Sequence, residues 1–108
     1  MALVFTPNQL GIGALGTILT TQLYVVTSST KAIGITIVLT NTGSSTRNIT
    51  IKVGPSTKRA VLSARPLAAG DTLVLELGST CLLAADVIQG GQDTGTDVDY
   101  IISGVEVT

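Results

Sequence analysis

Apolar and polar residues alternate from Lys31 to Val53, KAIGITIVLTNTGSSTRNITIKV. Ile33, Ile35, Ile37 and Leu39 fall on one parity, and Thr36, Val38 and Thr40 on the other. Beyond Asn41, Thr42, Gly43, Ser44 and Ser45, the residues Ile49, Ile51 and Val53 share one face and Asn48, Thr50 and Lys52 the opposite face. A period of two gathers residues on one side of a sheet only if the chain is extended. Two such runs flanking an Asn-Gly-Ser turn predict a β-hairpin.

The same rule predicts strands at Leu19–Thr27, at Arg59–Arg65 and at Thr72–Leu77, where Leu73, Leu75 and Leu77 point inward and Thr72, Val74 and Glu76 outward. Tyr24 is expected to be half-buried. Residues 81–89 (CLLAADVIQ) read as one or two short strands broken near Ala84–Asp86, or as a helical turn, because Ala and Leu favour helix. Val98–Val107 is the closing strand, with Gly104 as a bulge. Gly54-Pro55-Ser56, Pro66–Asp71, Gly78-Ser79 and the glycine-rich stretch 90–96 (GGQDTGT) read as breaks, since proline cannot donate to a ladder and glycine favours turns. Residues 1–16 differ: a short apolar run, a proline and three glycines suggest an N-terminal arm or a loosely held edge segment.

About seven or eight strands on short connections predict an all-β, antiparallel fold. The expected architecture is a single compact β-sandwich, jelly-roll or immunoglobulin-like, over residues 17–108 with the arm in front of it. At 108 residues the chain is long enough for one core.

Composition adds one inference. Charged residues make up 12 % of the chain and hydrophobic residues 44 %, and an average soluble domain carries about twice that charge. Some of the surface is therefore expected to be covered by partner subunits. The net charge is −1, and Lys58-Arg59 is the one adjacent basic pair, so the sequence shows no electrostatic footprint for nucleic acid. Phe5, Tyr24 and Tyr100 are too few aromatics for a stacking platform. Cys81 has no cysteine partner in the chain, and its apolar setting predicts a small buried core residue and a reducing compartment of synthesis. No secretory signal and no apolar run long enough to span a membrane are visible.

Candidate chemistry is sparse. Gly11-Ile12-Gly13-Ala14-Leu15-Gly16 spells a dinucleotide fingerprint, but strand-like residues follow it where a helix is needed to hold a pyrophosphate. Ser28-Ser29-Thr30-Lys31 spells SxxK outside the helix that would stack serine and lysine. Asn48-Ile49-Thr50 is a glycosylation sequon placed mid-strand. Asp93, Asp97 and Asp99 are weak candidates for a cation site, because calcium takes six to eight oxygens and these three come with a flexible glycine. With no histidine and one cysteine, a zinc site is not expected. The commonest general base is missing too, which leaves only Asp71, Glu76 and Asp86 as an unsupported carboxylate set, so the chain is not read as an enzyme.

The segments IVLTNTGSSTRNITIKV, PLAAGDTLVLELG, LLAADVIQ and YIISGVEVT resemble small virion proteins of tailed bacteriophages. The shared features are a strand ending in LTNT, an L-A-x-G-D-T turn into the next strand, an A-x-D-x-I segment and a closing SGVE strand. Ala85-Asp86 departs from the Gly-Asp often found there. The resemblance spans residues 17–108. It implies a non-enzymatic structural protein without a cofactor, made in the host cytoplasm and located in the virion. The favoured role is capsid decoration (cement), with a tail, neck, baseplate or fibre component as the alternative. The implied partners are the major capsid protein or other virion subunits and further copies of the chain, a trimer being the state expected of a decoration protein, with no nucleic acid and no membrane. Leu3, Val4 and Phe5 of the arm are the expected protein interface. A carbohydrate- or receptor-binding module is the competing reading, since sandwich folds host such sites without implying them.

Overall fold

A computed structural model of the chain describes residues 4–77 and 81–108. The strands are β1 (Phe5–Ala14), β2 (Gln22–Val25), β3 (Lys31–Asn41), β4 (Arg47–Gly54), β5 (Arg59–Leu67), β6 (Thr72–Glu76), β7 (Val87–Gln92) and β8 (Val98–Val107). They form two sheets of four antiparallel strands, in the orders β1-β8-β3-β6 and β2-β7-β4-β5. No helix occurs among the described residues, which removes the helical alternative for 81–89.

The pairing has a simple rule: β1 lies beside β8, β2 beside β7, β3 beside β6, and β4 beside β5. The chain is thus one long antiparallel ribbon, bent at the β4–β5 hairpin and rolled so that β8 meets β3 and β7 meets β4. That is the eight-stranded jelly roll, and it settles the choice left open between jelly-roll and immunoglobulin-like sandwiches.

Alternation set the faces as the sequence indicated, except at Ile33, which the extra residue at Gly34–Ile35 turns to the outer face while Ala32 is buried. Ile35, Ile37 and Leu39 from β3 and Ile49 and Ile51 from β4 are fully buried, and they meet Leu15, Val26, Ile88, Val98 and Ile102 in one core. Yet β3 and β4 do not form the expected hairpin. They belong to opposite sheets, and residues 42–46 carry the chain across the sandwich. Asn41 shapes this crossing. Its side chain is buried, its Nδ2 donates to the carbonyls of Ser45 (2.8 Å) and Leu67 (3.0 Å), and its Oδ1 accepts from Gly43 N–H (3.0 Å).

Residues 5–14 are not a free arm. They run along β8 from Phe5↔Val107 to Ala14↔Asp99 as an edge strand, with one register shift between Gln9 and Gly11. The extra residue there lets Leu10 pack against the core while Gln9 and Ile12 stay outside. At Gly104 the bulged strand is the neighbour: β3 spends Gly34 and Ile35 between Ile33↔Val105 and Thr36↔Ser103. Gly34 takes φ +60°, a conformation that glycine adopts without steric cost. Pro66 sits within β5 rather than in a turn, on a sheet edge where a missing N–H costs nothing.

Two further expectations are corrected. Gly90 and Gly91 belong to β7, not to a loop. A side chain at Gly90 would meet the Thr50 carbonyl and Ile51, and one at Gly91 would meet the carbonyls of Gly16 and Ile18, so these glycines permit close backbone approach. Cys81 is exposed, because the bridge between Ala32 and Leu82 turns Leu82 into the core and its neighbour outward.

Candidate functional site

The three aspartates of the weak cation site are held apart. Asp97 forms a forked ion pair with Arg47, with Nε–Oδ1 at 2.9 Å and Nη2–Oδ2 at 3.0 Å. Arg47 donates a further bond to Thr94 Oγ1 at 2.7 Å. The guanidinium holds the Asp97 carboxyl below its ordinary range. Asp93 accepts from the Asn48 N–H (3.1 Å) and from Thr94 N–H (2.9 Å). Asp99 lies on β8, opposite Ala14 and Thr40. Among the described residues, no three His, Cys, Asp or Glu side chains converge as metal ligands. This cluster ties the 42–46 crossing to the β7–β8 loop, a connection completed by Thr42 N–H donating to the Asp97 carbonyl (2.8 Å).

At the opposite end, Val4 exchanges two 3.0 Å backbone bonds with Thr108, and Phe5 pairs with Val107. Val4 and Phe5 are exposed, and Leu3 lies outside the described residues. Nearby, a shallow hollow of about 470 Å³ is lined by Ser29, Thr30, Lys31, Leu83, Ala84, Val107 and Thr108. Between the sheets, Tyr24 Oη donates to Glu106 Oε2 at 2.9 Å, and Asn8 Nδ2 donates to Glu106 Oε1 at 3.0 Å. Burial and the neighbouring carboxylate push the Tyr24 phenol up to about 12.

The feature with the clearest functional content is the outer face of the β1-β8-β3-β6 sheet. The registers Ile12↔Ile101, Val38↔Ile101 and Val38↔Val74 place four β-branched residues in one row across all four strands. Ile12 is 61 % exposed, Val74 53 % and Ile101 41 %. A further row toward the chain's ends, Pro7, Val105 and Ile33, is also uncharged. The charged residues on this face, Lys31, Glu76 and Asp99, stand at its margins. On the other sheet the corresponding row is Gln22, Gln89, Lys52 and Ala60. The first sheet's outer face therefore carries an apolar row, bordered by the largely polar rows Gln9–Ser103–Thr36–Glu76 and Ala14–Asp99–Thr40–Thr72, where the second sheet has a polar one.

Val38 and Val74 were legible as outward-facing apolar residues. Ile12 and Ile101 were not, because residues 1–16 read as an arm or a loosely held edge strand with no face assigned, and Tyr100-Ile101-Ile102 has no alternation of polarity. Folding also gathers charge that looked scattered: residues 47–67 carry Arg47, Lys52, Lys58, Arg59 and Arg65 and no carboxylate, all on β4, β5 and their connection.

No family model and no curated protein matches the chain. Among solved structures, it is similar to a chain of the structure of infectious bursal disease virus Gx strain, with a TM-score of 0.51 and 11 % identity over 99 % of this chain and 33 % of that one. It is also similar to the N-terminal endo-1,4-β-D-xylanase 10B of Clostridium thermocellum, CBM22-1–GH10 modules complexed with xylohexaose, with a TM-score of 0.39 and 10 % identity over 96 % of this chain and 26 % of that one. The chain thus spans about a third of the viral chain's length. The viral likeness is one of fold alone, and the xylanase likeness is looser still: what the chain shares with a known structure is the β-sandwich.

Proposed function

We propose that this protein is a non-enzymatic structural subunit of a bacteriophage virion, a capsid decoration (cement) protein that binds the assembled head through protein–protein contacts. The observation that carries the reading is the apolar row Ile12–Ile101–Val38–Val74 on the outer sheet face. Large exposed apolar patches on small domains mark contact surfaces. With strands about 4.8 Å apart and about 3.3 Å per residue, the face measures roughly 30 by 15–20 Å. Its apolar part is the one row across the four strands, bordered by Gln9, Ser103, Thr36 and Glu76 on one side and Ala14, Asp99, Thr40 and Thr72 on the other, which is the arrangement of an apolar centre with a polar rim. The resemblance of residues 17–108 to small virion proteins of tailed phages and the likeness of fold to a chain from a virus structure both support the assignment. Val4 and Phe5 are paired with the end of β8 and keep exposed side chains, so they stand beside the apolar row as the further contact expected of the N-terminal segment.

The test replaces Ile12, Val38 and Ile101 together by threonine, which keeps β-branching and strand preference but removes apolar surface. The variant should fold as the wild type does by circular dichroism and bind purified particles at least tenfold more weakly. Wild-type attachment by the folded variant would refute the assignment of this face.

A further inference from the structure

The four sheet edges are unequal. β1 contains Pro7 and a register shift at Leu10. β2 is four residues long. β5 contains Pro66, two register shifts, Ala64 at φ +46° and the cations Arg59 and Arg65. Prolines, bulges, short length and basic residues are the usual guards against edge-to-edge pairing. β6, Thr72-Leu73-Val74-Leu75-Glu76, has no proline, no bulge and no basic residue, carries its one charge, Glu76, at its end, and pairs with β3 on one side.

Its hydrogen-bond phase is fixed. Leu77 N–H donates to the Ile35 carbonyl (2.8 Å) and Asn41 N–H to the Asp71 carbonyl (3.0 Å). Directly opposed residues in an antiparallel ladder alternate between bonded and non-bonded pairs. With Leu39↔Leu73 and Ile37↔Leu75 in register, Leu73 and Leu75 direct their backbone groups at β3. Thr72, Val74 and Glu76 direct theirs away from it, to the open side.

We infer that β6 pairs with β6 of a second copy of this chain, antiparallel about a two-fold axis through Val74, joining two four-stranded sheets into one of eight. The pattern is self-complementary. Val74 exchanges both backbone bonds with the partner's Val74, Thr72 bonds with the partner's Glu76, and Glu76 with the partner's Thr72. All three outward N–H donors of each copy are used, no like charges stand opposite each other, and a symmetric interface of this kind closes on itself. The apolar row ending at Val74 then continues without a break into the second copy. Leu73 and Leu75, which contact the core but remain half-exposed at this open flank, gain cover. The pairing is read from the edge itself and does not rest on the virion assignment.

Light scattering coupled to size-exclusion chromatography on the full chain, from about 1 to 100 µM, decides the matter. The wild type should appear at twice its 11.0 kDa monomer mass. Val74→Pro removes an outward N–H and no bond to β3, so it should stay folded and monomeric, its dimerisation weakened at least tenfold. Val74→Lys, which sets two cations across the axis, should do the same and serves as the deciding variant if the proline disturbs folding. A wild-type monomer across the whole range, a trimer, or a dimer indifferent to Val74→Lys would each overturn the pairing.

Discussion

Asn41→Ala should be among the most damaging substitutions of a polar residue in this chain. Asn41 is fully buried where β3 leaves its sheet, and its side chain makes three bonds to backbone groups of two separate connections: Gly43 and Ser45 in the β3–β4 crossing, and Leu67 at the end of β5. Alanine strands the Leu67 carbonyl, which lies in the interior, at a cost of about 1–3 kcal/mol for an unmet buried group. The Gly43 and Ser45 groups are partly reachable by water, so each loses only the net value of a bond, about 0.5–1.5 kcal/mol. The total is about 2–6 kcal/mol, which for a domain of this size lowers the melting temperature by about 10 °C or more. Urea titration followed by circular dichroism measures it. Asn41→Asp sharpens the test: it keeps the acceptor for Gly43, loses both donations and sets a carboxylate beside two carbonyls, so at neutral pH it should be worse than alanine. A loss below about 1 kcal/mol for Asn41→Ala, or an aspartate variant milder than the alanine one, would show that the crossing is not held by this side chain.

Other consequences follow from particular contacts. Gly90→Ala should cost about 1–3 kcal/mol or more by driving a methyl into the Thr50 carbonyl and Ile51, whereas Gly16→Ala, whose methyl meets open space, should be near neutral; paired urea melts compare them. Because the folded pKa of Tyr24 is raised to about 12, above the unfolded value of about 10, its contribution is complete below about pH 10 and is lost as pH rises toward 12. Wild-type stability should therefore fall across that window, and Tyr24→Phe should lack this component in pH-dependent melts. The Asp97 pKa is lowered chiefly by its bonds to Arg47, so the pair stabilises the fold above the ordinary carboxylate value of about 4 and stops doing so as pH falls through the depressed one. Arg47→Ala should be less stable than wild type at neutral pH, with the gap closing in strong acid; a gap constant with pH would exclude the ion pair as its cause.

Which residues face the core was readable from alternation, as Ile35, Ile37, Leu39, Ile49 and Ile51 show. Where their strands go was not. A period of two says that Ile37 and Ile51 point inward, but it is silent on whether the strand carrying Ile51 lies beside β3 or across the core from it. A five-residue connection suits either geometry, and the difference lies in Asn41, whose bond to Leu67 comes from a residue far along the chain. β1 was legible only as one of two readings, an arm or a loosely held edge strand, for a related reason. Pro7, Gly11 and Gly13 have poor strand preference, and they are held extended by the ladder to β8, a tertiary cause. Gly90 and Gly91 looked like loop residues because the need for bare backbone, set by Thr50 and Gly16, appears only when the layers are stacked. The apolar sheet face was half-visible: Val38 and Val74 stood on outward parities, but only the register aligns them with Ile12 and Ile101.

The central claim, that the chain is a structural subunit of a virion, is tested most directly by quantitative mass spectrometry of purified particles, counting this protein against the major capsid protein. A decoration protein should be present in hundreds of copies, near a simple ratio to the capsid subunit. A few to a few dozen copies would move it to the tail, neck or fibre, and absence from the particle would contradict the claim outright.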